Sequence, residues 1–302
     1  MHNPPSSRPS TSDSWARKIK RELLKSVSKV LRVPPASAIF EGLKLKIPLI
    51  YGLGADHLSR GAPPWTYRFL AELLRVRPGA FIDIGANVGL YLIWLKSIDA
   101  DREYIGFEPN PACYFYLQEL MRHNGFAASS VLPQALADQR ALQTFHARRL
   151  GDKMGSLLTT HRVEKDRPFS FSVMTQPGDP LFEALALPAI SAIKIDVEGA
   201  ELEVLSGLKE TLRRYQPPVI CEVLPVDRDR SDSEERRRKV DALLALAQEI
   251  DYRMLSRGDD GRMSVVLTAD DLVPGSEPDR VLVPSSELDR MVSLGGEVST
   301  PG

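Results

Sequence analysis

A strand, a glycine turn and a helix follow one another in the segment FIDIGANVGLYLIWL, residues 81–95. The turn contains Gly85, Asn87 and Gly89, and the absence of side chains at the two glycines lets a ligand approach the backbone N–H groups where the helix begins. Asp83 stands between two isoleucines of the strand, where burial is costly unless a cationic or hydrogen-bonding group meets the carboxylate. This unit predicts an α/β sheet with a ligand site at the carboxyl ends of its strands.

The chain continues this alternation of strands and helices. Apolar strands are predicted at 81–84, 104–108, 130–136, 191–197 and 219–223, and helices at 89–98, 111–124, 199–214 and 234–249. Strands that are apolar throughout are covered on both faces, and helical spacing between them favours parallel βαβ units over hairpins. We therefore expect a doubly wound sheet, with further strands near one edge between residues 252 and 284.

Four regions are expected along the chain. Residues 1–13, which are rich in Ser and Pro, are predicted to be a disordered tail. Residues 14–62 are predicted to form an amphipathic helix followed by a cap with a possible strand pair. Residues 63–284 form the main domain, and residues 285–302 are expected to be a flexible tail with little to bury.

The first helix is predicted from Ser14 to Arg32. Apolar residues recur every four positions from Trp15 to Leu31, Lys and Arg occupy much of the rest, and Pro34-Pro35 is expected to end the helix. Such a basic amphipathic helix can contact an anionic membrane surface, although packing on its own domain or on a partner is favoured.

Composition excludes several classes of protein. The chain has 39 basic and 40 acidic residues, so we expect no nucleic-acid partner. Cys113 and Cys221 are too few for a disulfide framework or a metal knuckle. Neither a signal peptide nor a run of ~20 apolar residues is evident, which predicts a soluble cytoplasmic protein.

Glu108 ends the strand YIGFE, nineteen residues after Gly89, and is expected to lie beside Gly85. A carboxylate there can accept both hydroxyls of a ribose, and open α/β sheets bind ligands at this edge. The turn lacks the G-x-G-x-x-G spacing of dinucleotide sites, because Asn87 occupies the middle glycine position. Its side chain would crowd a pyrophosphate but could bind a carboxylate. The pattern therefore favours S-adenosylmethionine, whose amino group would meet Asp83, over a nicotinamide cofactor.

Three acids are expected to gather beside this site. In IKIDVEGAELEVLSGL, residues 193–208, Asp196 and Glu198 are two positions apart, and Glu222 ends the following strand. Methyl transfer to an aliphatic hydroxyl needs a base to remove its proton. Asp196 is the first choice and Glu198 the second, although Glu198 and Glu201 can instead stabilise the helix N-terminus. No metal ligands are assigned, but a divalent ion held by Asp196 and Glu222 is left open.

Together these segments resemble the FkbM-type methyltransferases, in which a FIDIGANVG-like turn, a FEPNP-like acid and an IKIDVEGAELEVL-like block occur in this order. The resemblance covers about Phe81 to Glu222 and extends to residues 281–284. It implies a Rossmann-like, seven-stranded, mostly parallel sheet and O-methylation of a sugar, glycolipid or polyketide-type hydroxyl. The implied cofactor residues are Asp83, Gly85, Asn87, Gly89, Glu108, Asn110 and, near the adenine, Asp138.

Weaker features occur elsewhere in the chain. Asp179 stands where family members carry another acid, but in a proline-interrupted setting, so it receives no role. Residues 151–162 resemble a Gly-Ser loop that could form a lid, with His161 an outside candidate for the base. Two other functions are left open: a nicotinamide-dependent oxidoreductase, and a non-catalytic module that binds glycan or protein through the helix at 14–32.

Overall fold

The computed structural model describes residues 11–28, 33–59, 64–147, 169–226, 232–258, 261–272 and 278–296. The predicted disorder of residues 1–10, like the proposed lid at 151–162, lies outside these ranges. The remaining three residues of the predicted tail belong to the first helix, which begins at Thr11.

Strands and helices alternate over most of the described residues. The strands are β1 (Val33–Phe40), β2 (Leu43–Leu49), β3 (Ala80–Ile84), β4 (Tyr104–Phe107), β5 (Ser129–Leu132), β6 (Ala135–Leu136), β7 (Ala141–Ala147), β8 (Phe169–Gln176), β9 (Ile190–Ile195), β10 (Val219–Glu222), β11 (Tyr252–Arg257), β12 (Met263–Val266) and β13 (Asp279–Pro284). The helices are α1 (Thr11–Val27), α2 (Trp65–Val76), α3 (Leu90–Ile98), α4 (Pro111–Asn124), α5 (Asp179–Leu185), α6 (Glu201–Ser206), α7 (Lys209–Tyr215), α8 (Ser233–Glu249) and α9 (Leu288–Gly296).

The main sheet has the strand order β12-β11-β13-β10-β9-β3-β4-β5. The five strands from β10 to β5 are parallel, and β13, β11 and β12 continue the sheet with antiparallel pairings. This confirms the Rossmann-like expectation, with one strand more than seven because β12 pairs with β11 at the edge. The winding reverses between β3 and β9, so their carboxyl ends open into a crevice.

Both faces of the sheet are covered, as the apolar strands predicted. Phe81 belongs to an apolar cluster that includes residues of α2, α3, α4 and α9, whereas its neighbour Ile82 belongs to a second cluster with residues of α5 to α8. Alternating residues of β3 are therefore buried on opposite sides, which leaves the strand ends as the open part of the sheet.

Two predicted elements are divided in the structure. The strand predicted at 130–136 is β5 and β6, because Pro133 between them has no N–H to donate to a ladder. β6 pairs instead with β8 in a second sheet of order β6-β8-β7. The helix predicted at 199–214 is divided into α6 and α7 near Gly207, where an added Cβ would lie 2.1 Å from the Ala137 carbonyl oxygen.

The N-terminal cap contains the expected strand pair. β1 and β2 are antiparallel, and Leu45, Ile47 and Leu49 are buried. The helix boundary was wrong, since α1 ends at Val27 and Pro34-Pro35 belongs to β1. The prolines fall at a register shift between Val33 and Ala36, where a missing donor is tolerated.

The prediction of a flexible tail from Ser285 was wrong for the described part of this segment. A 3-10 turn (Ser285–Glu287) leads into α9, in which Met291 is fully buried. Leu288, Met291 and Val292 have the spacing of one helix face and pack on the cluster that contains Phe81. Of the helices described, none is long and apolar enough to cross a membrane.

Candidate active site

A cleft opens where β3, β4 and β9 end. The space between its walls is about 620 Å³, counting the part open to solvent. Among the residues that line it are Gly85, Asn87, Glu108, Asp196 and Glu198. The structure therefore brings the glycine turn, the strand-end glutamate and two of the three predicted acids to one place.

The glycine turn lies directly against the chain that leaves β9. Gly85 has φ +81°, and a Cβ added to it would lie 1.9 Å from the carbonyl oxygen of Asp196. Asn87 also adopts a left-handed conformation, which asparagine tolerates better than most residues. Both residues line the cleft, as the sequence predicted.

Gly89 has a different role from the predicted one. A Cβ at this position would lie 2.8 Å from Leu117 and 3.1 Å from Leu120, both on α4. Gly89 also lies outside the residues that line the cleft. Its missing side chain therefore permits close packing of α3 on α4. The predicted role, in which Gly89 lets a ligand approach the backbone, is thus corrected by contacts with α4.

Glu108 is held at the cleft by backbone donors. The N–H groups of Asn87 and Asn110 donate to its two carboxylate oxygens at 2.7 and 2.8 Å. Burial raises the pKa of Glu108 to about 7, against the lowering effect of these two hydrogen bonds. A carboxylate has about four acceptor positions, so Glu108 can accept further hydrogen bonds from a ligand.

Asn110 and Asp138 do not line the cleft among the described residues. Asn110 is buried and caps α4, because its side-chain oxygen accepts the N–H of Ala112. The backbone N–H of Asn110 holds Glu108 in place, so Asn110 supports the cleft without lining it. Asp138 is exposed, two residues beyond Leu136, the last residue of that segment in the cleft wall.

Asp83 is buried beneath the turn, away from the cleft wall. The hydroxyl of Tyr104, on the neighbouring strand, donates to its carboxylate at 2.7 Å. Tyr104 reaches Asp83 by leaning over Gly106, where a Cβ would lie 2.9 Å from the tyrosine ring. Burial raises the pKa of Asp83 to about 6, although Tyr104 and Lys194 lower it. The hydrogen-bonding partner that the sequence demanded is thus a protein side chain; the tyrosine and glycine of YIGF were the available signal.

The three predicted acids lie together. Asp196 and Glu198 line the cleft, with the Asp196 side chain 42% exposed, and Glu222 is hydrogen-bonded to Asp196. β9 ends at Ile195, so Asp196 and Glu198 lie in the turn after the strand. The turn brings them to the cleft, and not the alternation of side chains along a strand. Burial, followed by the negative charge of Asp196, raises the pKa of Glu222 to about 8. At neutral pH Glu222 is therefore protonated, and its O–H can donate a hydrogen bond to the Asp196 carboxylate.

Lys194 is a component that the sequence pattern did not reveal. This buried ammonium lies 3.4 Å from an Asp196 carboxylate oxygen, donates to the Ile195 carbonyl and lies over the ring of Tyr91. Burial alone disfavours the ammonium, but Asp196 and Asp279 raise the pKa of Lys194 overall. The signal was a lysine in the otherwise apolar strand IKI, because an amine in such a strand needs a negative partner.

Two other acids have structural roles. Glu201, at the start of α6, accepts the N–H groups of Val197 and Gly199, which confirms the alternative of a helix-start acid and fixes the turn that carries Glu198. Asp179 accepts the N–H and hydroxyl of Thr211 and so caps α7. His161 lies outside the described residues. Within the described residues, no group of three His, Cys, Asp or Glu is placed to hold a metal ion.

Comparison with known proteins gives a consistent result. The family model described as "Methyltransferase FkbM domain" matches residues 83–258. Hexuronic acid methyltransferase AglP of Haloferax volcanii is 30% identical over 133 residues, 43% of this chain and 50% of AglP. Methyltransferase 1 of Beauveria bassiana is 26% identical over 144 residues, 43% of this chain and 58% of the relative. The chain thus spans roughly half of these curated relatives.

Among solved structures, methyltransferase FkbM from Methylobacillus flagellatus aligns with 90% of this chain and 60% of its own. The alignment has a TM-score of 0.45 and 16% sequence identity. An O-methyltransferase from Thermotoga maritima aligns with 83% of this chain and 78% of its own, with a TM-score of 0.39 and 11% identity.

Proposed function

Because the chain belongs to the FkbM methyltransferase family, we propose that it transfers a methyl group from S-adenosylmethionine to a hydroxyl of a sugar, glycolipid or polyketide-type product. The observation that carries this proposal is the cleft itself, which the Gly85 turn, Glu108 and the acid Asp196 line together. Support for a sugar acceptor comes from the similarity to a protein named as a hexuronic acid methyltransferase.

The cleft wall fits a nucleoside with an amino-acid arm. Glu108 has acceptor positions left for the ribose hydroxyls after binding two backbone N–H groups. Phe107, Leu136 and Phe145 supply apolar surface on which an adenine can pack, and Asn87 offers an amide to a carboxylate. When bound, S-adenosylmethionine supplies an electrophilic methyl group on its sulfonium.

The residues of the chain then have to hold the acceptor and remove its proton. Asp196 is the base in this proposal, since its side chain is partly exposed at the cleft. Protonated Glu222 donates a hydrogen bond to Asp196 and so orients the Asp196 carboxylate, while Lys194 stabilises the negative charge of Asp196 from the buried side. Glu198 is the second choice for the base, on the turn that Glu201 fixes.

Calorimetric titration with S-adenosylhomocysteine and with NAD tests the cofactor. The wild type is expected to bind the thioether and not the dinucleotide, and Glu108→Ala to bind it roughly tenfold to a hundredfold more weakly, since hydrogen bonds to a charged group contribute about 1.5–3 kcal/mol. Glu103→Ala, an exposed acid at the opposite end of the same strand, is the control. Tight binding of NAD without a response to the thioether would contradict the proposal.

The affinity for S-adenosylhomocysteine is also expected to depend on pH. The ionised carboxylate is the better acceptor for ribose hydroxyls, and the pKa of Glu108 is about 7 in the free protein. Affinity should therefore fall as pH drops below about 7, by up to roughly tenfold per pH unit, and level off above about 8. Glu108→Gln cannot titrate and should show a flat profile. Parallel profiles for the two proteins would remove Glu108 from the ribose site.

A further inference from the structure

The helix α1 carries an apolar stripe on its outer surface. Ile19, Leu23 and Val27 are 46%, 62% and 37% exposed, and their four-residue spacing places them side by side along the helix. Ile39, on the strand β1 that faces α1 across a groove, is 72% exposed. Neighbouring apolar side chains on one surface are a feature of sites that contact a partner or a membrane.

The opposite face of α1 is attached to the domain. Lys25 lies 2.7 Å and Arg21 3.8 Å from a carboxylate oxygen of Asp56, which belongs to a 3-10 turn, and Ser28 is buried. One face of α1 therefore contacts the domain, and the other face is exposed to solvent. This arrangement keeps the apolar stripe directed outward.

Positive charge surrounds the stripe. The helix α1 has five Lys and Arg and two acids, Asp13 and Glu22, in a chain with a net charge of −1. The side chains of Lys18 and Lys20 are exposed. Glu22 lies beside Arg21 and Lys25, so this acid is balanced locally. The charge on this surface is thus complementary to a negatively charged partner.

We propose that α1 attaches the protein to the surface of an anionic lipid bilayer. Ile19, Leu23 and Val27 enter the boundary between headgroups and acyl chains, while Lys18 and Lys20 contact the lipid phosphates. An apolar stripe with lysines at its sides matches a bilayer, which offers both an apolar interior and an extended negative surface. The proposal is independent of the chemistry in the cleft.

Flotation of the full chain with vesicles tests this proposal. Vesicles of phosphatidylcholine with about 30% phosphatidylserine should bind the protein, and neutral vesicles should bind it much less. Lys18→Glu with Lys20→Glu should lower the partition coefficient at least about 25-fold, since each lysine contributes roughly fivefold. Ile19→Gln with Leu23→Gln should lower it about tenfold or more. Arg68→Glu with Arg75→Glu, on exposed positions of α2, and Leu267→Gln, an equally exposed leucine, are the matched controls.

Thermal unfolding of the same variants, followed by circular dichroism, should not change and so reports an intact fold. Absence of binding to anionic vesicles at low salt would overturn the proposal. Equal binding by the α1 variants and their controls would also overturn it. So would concentration-dependent self-association that Leu23→Gln abolishes, because a second copy of the chain would then cover the stripe.

Discussion

Asp196→Asn is expected to lower turnover by roughly two to four orders of magnitude, the usual contribution of a general base. Asparagine has the same shape as aspartate, so the cleft is retained, but its amide cannot accept the proton of the acceptor hydroxyl. Because Glu108, and not Asp196, is the carboxylate proposed to bind the ribose, the affinity for S-adenosylhomocysteine should stay within a few-fold of wild type. Single-turnover methyl transfer and calorimetry on the same preparation measure the two quantities separately.

Glu198→Gln is the matched comparison for this experiment. It removes a second carboxylate from the same cleft, and we expect less than tenfold loss of turnover because Lys194 and Glu222 both contact Asp196. Unchanged turnover in Asp196→Asn together with a large loss in Glu198→Gln would transfer the role of base to Glu198. Thermal unfolding of both variants checks that Lys194 without its charged partner does not unfold the domain.

Gly85→Ala is expected to destabilise the protein by more than about 3 kcal/mol, a large loss for the addition of a single methyl group. The added carbon would lie 1.9 Å from the Asp196 carbonyl oxygen and 2.9 Å from its carbonyl carbon, and backbone atoms cannot rotate away. A left-handed conformation adds roughly 1–2 kcal/mol for alanine. Urea unfolding, followed by circular dichroism, measures the change.

Gly42→Ala separates the two causes. Gly42 has φ +82°, nearly the same as Gly85, but nothing lies within 4 Å of its added carbon. This control should therefore lose only the conformational contribution of about 1–2 kcal/mol. Equal losses in the two variants would show that the contact between the glycine turn and the end of β9 relaxes easily.

The central sheet could be predicted from sequence because most of its parallel strands are short apolar runs. Polar and apolar residues do not alternate along β3, β9 and β10 as they do in the strands of an exposed hairpin, and the helices between these strands have clear limits. Pro133 indicated a break in the strand predicted at 130–136, but the apolar residues on both sides of it led to the prediction of one continuous strand. α9 was missed because its apolar positions looked too few to bury, although three of them share one helix face.

Residue positions in the site were predicted correctly where adjacent strands determine them. They were missed where side chains from other elements determine them. The proximity of Gly85 to Glu108 follows from adjacent parallel strands, and the Phe107 carbonyl does accept the Gly85 N–H. The position of Asp83 depends instead on Tyr104 leaning across Gly106, and that of Gly89 on leucines of α4. Such contacts depend on rotamers and on helix packing, which a linear pattern does not specify.

The place of β13 in the sheet has a consequence for how the protein is made. β13 pairs with β10 on one side and with β11 on the other, so the strand synthesised last of these three separates the two that are synthesised earlier. Until residue 284 has emerged, β10 and β11 each present an unpaired edge, a form prone to aggregation. Completion of the sheet therefore has to wait until residue 284 has been synthesised, and the two open edges are sites of aggregation until then.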